Sequence, residues 1–307
     1  MIMLWLGLSL ALGVVVGLST SNWFIMVFSM EIALFSFLFM CYSYGHMGQT
    51  SACLKYFFVQ TLSSIFLLAG GALIMLCNTP STSVIFLVLF GLSLKLGVFP
   101  LYFWVVPVSI NLSYLMIGVF SSPLKILPLS MLGMFFDSYL VGSEEYIKGI
   151  MIGSVGSMIV GMCLGLSATS LRMMLGASSV AHTGWLMMSL LSQSYWVYFI
   201  LYSLSLAFAT WSLVTLPSFL GSLSLLSLGG LPPFSVFSGK LYVICSSLWS
   251  NMSLGFLMIA LVTSAFSLFY YMKFSLNIYL MSSLNKNTTS QVMLMLLSSM
   301  LVVMWVL

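Results

Sequence analysis

Charge is what this chain has least of. Among 307 residues, eight are Lys or Arg and four are Asp or Glu, 4% in all, where ordinary soluble domains carry roughly a quarter. A water-soluble surface cannot be built from that supply. The cations are scattered rather than clustered, which argues against a nucleic-acid partner. Cysteine is sparse too: Cys41, Cys53, Cys77, Cys163 and Cys245 form no C-x-x-C pair, which disfavours disulfides and thiolate metal sites. The two histidines, His46 and His182, lie on separate segments and make no local haem or metal pattern. No G-x-G-x-x-G or G-x-x-x-x-G-K-[ST] loop is present to cradle a phosphate. The expectation is a chain that binds no metal, nucleotide or redox cofactor itself.

Apolar residues fill the space that charge leaves. They make up 62% of the chain, and mean hydropathy is +1.20. Runs long enough to cross a bilayer, about 20 residues each, recur from end to end. They lack the strict alternation of barrel strands, so helices must satisfy the backbone. The expected fold is all-α, a polytopic bundle of about eleven spans by that length criterion. They fall near 2–19, 23–43, 55–77, 83–106, 112–136, 147–166, 171–191, 195–216, 222–248, 252–273 and 290–306. With no polar stretch long enough for an extramembrane domain, residues 1–307 read as one membrane domain. The first run is not expected to be a cleaved signal, since no basic segment precedes it.

Alternate loops share a side. The side of the N-terminus receives His46, Lys55, Arg172, Lys273 and Lys286, and the other side Asp137, Glu144, Glu145 and Lys148. Basic span ends mark the side of insertion, so the N-terminus is expected inside and the C-terminus outside.

Against this background a few charges stand out. Glu31 (FSMEIALFSF), Lys95 (LSLKLGVFP), Lys125 (SSPLKILPLS) and Lys240 (FSGKLYVI) fall near span centres, as does His182 (SSVAHTGW). A charge at mid-membrane costs about 2.5–3.5 kcal/mol on the insertion scale and usually marks an ion pathway. A buried Glu–Lys pair that only locks helices together would explain any one of them. Three lysines and one glutamate cannot all pair off. Burial disfavours a lysine's charged form and a nearby carboxylate favours it, so a lysine between the two can change protonation state, as a proton relay requires.

The same spans carry helix breakers. Gly97 and Pro100 follow Lys95, Pro123 and Pro128 bracket Lys125, and Gly229, Gly230, Pro232 and Pro233 precede Lys240. Proline removes a donor and clashes with the preceding turn, and irregular backbone at membrane depth survives only in protein or beside water. A packing kink explains a single proline; three coincidences of break and charge favour a hydrated path. If spans one to five and six to ten are two units, the fourth helix of each is broken and carries a lysine. Paired interrupted helices mark transporters built from inverted repeats.

KYFFVQTLSSIFLLAGG (55–71), KLGVFPLYFW (95–104), LRMMLGASSVAHTGW (171–185) and LLSLGGLPPFSVFSGK (225–240) occur in a familiar order. Across most of residues 20–245 the chain resembles the chain 2 family of mitochondrial NADH:ubiquinone oxidoreductase, respiratory complex I. The 25 methionines suit a mitochondrial code, and a front lacking three helices of bacterial relatives is what the resemblance implies for animal versions. It implies an antiporter-like, proton-translocating subunit of the mitochondrial inner membrane. NADH, FMN, Fe–S clusters and ubiquinone would lie in other subunits. Its partners would be the other membrane-arm chains, including neighbouring antiporter-like ones, with accessory subunits and lipids. Glu31, Lys95, Lys125 and Lys240 match the family's charged midplane row, and His182 a histidine of its second broken helix. Met173 replaces the basic residue common after Arg172, and the acid common near Pro107 is absent, so proton entry is expected to differ. A stand-alone cation/proton antiporter and a structural spacer with inactivated charges are the alternatives. The first would need a stronger acidic site than one glutamate.

Overall fold

The computed structural model describes residues 2–43, 47–76, 81–140, 144–215, 219–232, 234–250 and 252–282. Of the described residues 89% are helical, and none lies in a strand. It divides into two compact units, Met1–Glu144 and Glu145–Leu307.

The first unit holds α1 (Ile2–Ser19), α2 (Trp23–Ser43), α3 (Met47–Leu76), α4 (Thr82–Leu96), α5 (Val105–Asn111), α6 (Tyr114–Ser121) and α7 (Pro123–Phe135), with a π-helical turn at Phe136–Leu140. α2 lies against α1 and α3, and α3 continues the layer to α4 and α5. α7 packs on α1, α2, α4 and α6 and so forms the centre of the unit. The Trp23 indole N–H donates to the Leu67 carbonyl at 2.9 Å and clamps α2 to α3. Phe37, Tyr56, Trp104 and Phe120 meet edge-on or tilted at 5.2–6.4 Å between centroids in a buried aromatic core.

The second unit holds α8 (Glu144–Leu166), α9 (Leu171–Leu191), α10 (Tyr195–Thr215), α11 (Phe219–Gly229), α12 (Ser235–Trp249) and α13 (Leu254–Ser282). α10 contacts α9, α11 and α12, while α11 lies along α13. Small residues set the spacing: a Cβ at Gly161 would strike the Ala181 backbone, and one at Gly165 the Tyr270 ring. α9 is capped by Ser170, whose hydroxyl accepts from the Met173 N–H at 3.3 Å.

Serine is tolerated throughout because its hydroxyl bonds a carbonyl one turn back, as Ser29 does to Met26, Ser63 to Gln60 and Ser178 to Leu175. Such back-bonding satisfies the group inside the helix and leaves the outer face apolar. Trp5, Phe28, Phe58, Phe86 and Phe269 are accordingly more than 60% exposed. In water that surface would be untenable; in hydrocarbon it is the solvated face.

Among the described residues six helices are long and apolar enough to cross a membrane. α1, α4 and α11 are apolar and shorter. Within the expected span 83–106, α4 ends at Leu96 and irregular backbone runs to the start of α5 at Val105, while 222–248 is divided into α11 and α12. The expected last span, 290–306, lies outside the described residues.

Candidate functional site

α4 stops one residue after Lys95. Gly97 adopts the left-handed conformation at φ 69°, its N–H reaching the Leu94 carbonyl while Val98 N–H reaches that of Ser93. This pattern ends a helix where the chain must turn away, and glycine adopts it without strain. Pro100 lies within the irregular stretch before α5. The break leaves Lys95, 5% exposed, in the last helical turn, where helix-end carbonyls favour a cation. Its Nζ lies 3.4 Å from Glu31 Oε1 of α2, and the glutamate side chain is 21% exposed. The buried Gln60 side chain of α3 donates from Nε2 to the Lys95 carbonyl at 3.4 Å. Three helices therefore converge on Lys95.

Lys125 is buried in the first turn of α7, the end of a helix that disfavours a cation. Pro123 opens α7 as its first residue and separates it from α6, because a proline there forfeits only a donor with no intrahelical partner. Of the kink or interruption expected at Pro128, the interruption does not occur: α7 runs on through it to Phe135. A cavity of about 20 Å³ adjoins Tyr56, Gln60, Lys95, Pro123, Leu127 and Pro128. It is large enough for about one water, and it touches both Lys95 and the prolines on either side of Lys125. Near it the buried Trp104 indole N–H has no hydrogen-bond partner among the described residues.

In the second unit, α11 ends at Gly229 and Gly230 turns the chain at φ 82°. The buried Lys240, on α12, donates from Nζ to the Gly229 carbonyl at 3.1 Å. A terminal carbonyl of α11, the negative end of its dipole, takes the place a carboxylate has at Lys95. A Cβ at Gly230 would come 3.1 Å from Lys240 Nζ. The Trp185 ring of α9 faces the ammonium at 5.7 Å. Pro232 follows in the turn, and Pro233 lies outside the described residues.

His182 is buried on α9. Its Nδ1 lies 2.8 Å from the Tyr198 hydroxyl of α10 and its Nε2 3.4 Å from that of Tyr271 of α13. The Tyr202 ring lies 4.4 Å away, centroid to centroid. Glu31 with Lys95, and Lys240 with its broken helix, are thus assembled as pairs, whereas His182 is held by tyrosines. Gln60, Tyr198, Tyr271 and the Gly229 carbonyl escaped notice in the sequence because each acts across helices. The one signal available was the spacing of Tyr198 and Tyr202, which puts two phenols on one helical face. Among the described residues no group of three or more His, Cys, Asp or Glu could hold a metal ion.

The family described as NADH:quinone oxidoreductase/Mrp antiporter, TM, matches residues 20–221. NADH-ubiquinone oxidoreductase chain 2 of Albinaria caerulea is 36% identical over 275 residues, covering 90% of this chain and 88% of that one. Among solved structures, a chain of respiratory complex I from Thermus thermophilus with bound aureothin superposes with a TM-score of 0.82 at 22% identity. It covers 99% of this chain and 78% of the other. A chain of the Mrp complex from Dietzia sp. DQ12-45-1b gives 0.79 at 20% identity, covering 92% and 61%. At these identities the structures speak for the fold, and the sequence match speaks for the family. The chain belongs to the NADH:quinone oxidoreductase/Mrp antiporter transmembrane family, and within it to that of NADH-ubiquinone oxidoreductase chain 2.

Proposed function

We propose that this chain is a proton-translocating membrane-arm subunit of mitochondrial NADH:ubiquinone oxidoreductase. It moves protons along a row of buried groups while other subunits carry the electrons. The observation that supports it most is the Glu31–Lys95 pair at a helix break, beside a water-sized cavity that reaches the prolines flanking Lys125. Glu31 stabilises the protonated Lys95. Weakening the pair lets the proton pass through a water in the cavity towards Lys125. The second unit carries the further members of the row, His182 and Lys240, from which charge goes to the outer side or a neighbouring subunit. Each step is a change of protonation at a group with two discrete states, which is what coupling to a distant reaction needs.

The chain sits in the inner membrane with about eleven spans in two five-helix repeats. Its N-terminus faces the matrix and its C-terminus the intermembrane space. It is a translocase component without redox chemistry of its own, and its partners are the other membrane-arm chains and lipids. A stand-alone cation antiporter shares the fold, yet three buried lysines repel Na⁺ and the Glu31 carboxylate is committed to Lys95. The deciding variant is Lys95→Met in the assembled complex. The expected result is a fall in protons pumped per electron and in coupled NADH oxidation. Unchanged values of both would rule out the role.

A further inference from the structure

Resting on the relay reading above, we propose that Tyr198 and Tyr271 are relay members in their own right, forming with His182 a three-residue proton wire. The imidazole is gripped at both nitrogens by phenols from two other helices, at 2.8 and 3.4 Å. All three side chains are at least 97% buried, so neighbouring solvent does not substitute for either hydroxyl. A neutral imidazole offers one donor and one acceptor. With a phenol on each side, its tautomer gives the triad a direction.

In one state the Tyr198 hydroxyl donates to Nδ1, and Nε2–H donates to the Tyr271 oxygen. A proton arriving at the Tyr198 oxygen lets that residue's own hydroxyl proton pass to Nδ1. The Nε2 proton then passes to the Tyr271 oxygen, and the original Tyr271 proton leaves on the far side. One proton enters, one leaves, and no residue keeps a net charge. The triad ends in the opposite tautomer, with Nδ1–H facing Tyr198, and must return to the first before passing another proton the same way. Both ends adjoin the Lys240 site: a Cβ on Gly229, whose carbonyl holds the ammonium, would come 3.2 Å from Tyr271 Cδ2, and Tyr198 lies against the Lys240 helix. The Tyr198 ring stands 6.2 Å from that of Trp185, over which the Lys240 ammonium lies, and a Cβ on Gly239 would come within 3.2 Å of Tyr198 Cδ2. Gly239, just before Lys240, therefore lets α12 close onto this tyrosine.

The test is a double-mutant cycle in the assembled complex, with Tyr198→Phe, Tyr271→Phe and the pair together, read as proton-coupled NADH oxidation and protons per electron. Phenylalanine keeps both rings and removes only the hydroxyls. Each single change should lower coupled turnover by roughly tenfold or more, towards the range a positioned proton-transfer group contributes. The double variant should be no worse than the poorer single one, because one gap already opens a series chain. Single variants within twofold of the parent, or losses that multiply in the double, would overturn the wire. Because the tyrosines sit on different helices, Tyr271→Phe carries the test if Tyr198→Phe lowers assembly. Measuring Lys95→Met in parallel separates the two ideas. Pumping lost there but kept in both tyrosine variants removes the wire alone, while pumping kept in all of them removes the relay reading as well.

Discussion

Lys95 shows how one buried cation is made tolerable. Its ammonium has a carboxylate at 3.4 Å, its helix ends one residue later, and its own carbonyl is taken by Gln60. The last contact was invisible in the run KYFFVQTLSS, where Gln60 is one polar residue on an apolar helix. Gln60→Leu removes that donor and leaves the amide-binding side of the cavity apolar. Loss of a buried hydrogen bond of this kind costs about 1–3 kcal/mol. The expected outcome is a lower melting midpoint of the complex, together with slower coupled turnover through a displaced Lys95. A variant with wild-type midpoint and turnover would show that the amide does not hold the lysine.

The two broken helices α4 and α11 solve one problem with the same backbone device, a glycine at positive φ just after the last turn. They then differ. Lys95 belongs to the helix that breaks, whereas Lys240 comes from the following helix and reaches back to the Gly229 carbonyl. Gly230→Ala is therefore expected to disturb its lysine more directly than Gly97→Ala. Both place a Cβ on a left-handed residue, at a cost of about 1–2 kcal/mol, but at Gly97 the added carbon strikes the Val105 side chain at 2.5 Å, whereas at Gly230 it crowds the Lys240 ammonium itself at 3.1 Å. Assembly yield should fall in both. Protons per electron in the complex that does assemble should fall only in Gly230→Ala, and an equal fall in the two would show that strain alone is at work.

For the chain as a whole, the exposed aromatic and aliphatic faces of both units require lipid or protein around them. A self-contained antiporter and a subunit of a large assembly make different demands on that surface. After mild detergent extraction and native electrophoresis, the chain is expected only in a band the size of complete complex I. A stable, isolated 33.8 kDa species with transport activity in vesicles would favour the antiporter instead.

Composition was enough to establish a helical membrane protein, because 62% apolar residues and twelve charges leave no other way to meet solvent and satisfy the backbone. The buried charges were equally legible, since a lysine in an apolar run is conspicuous in one dimension. So were the breaks at Gly97 and Gly230, where glycine beside proline signals a turn whatever surrounds it. Pro128 misled because a proline's effect depends on the helix that carries it. Which groups meet was settled by packing: Glu31 and Lys95 are 64 residues apart, and Tyr271 lies 89 residues from His182. Helical periodicity places a side chain on a face, but it does not say which other helix that face meets. The partners of Lys95, Lys240 and His182 are therefore properties of the assembled bundle.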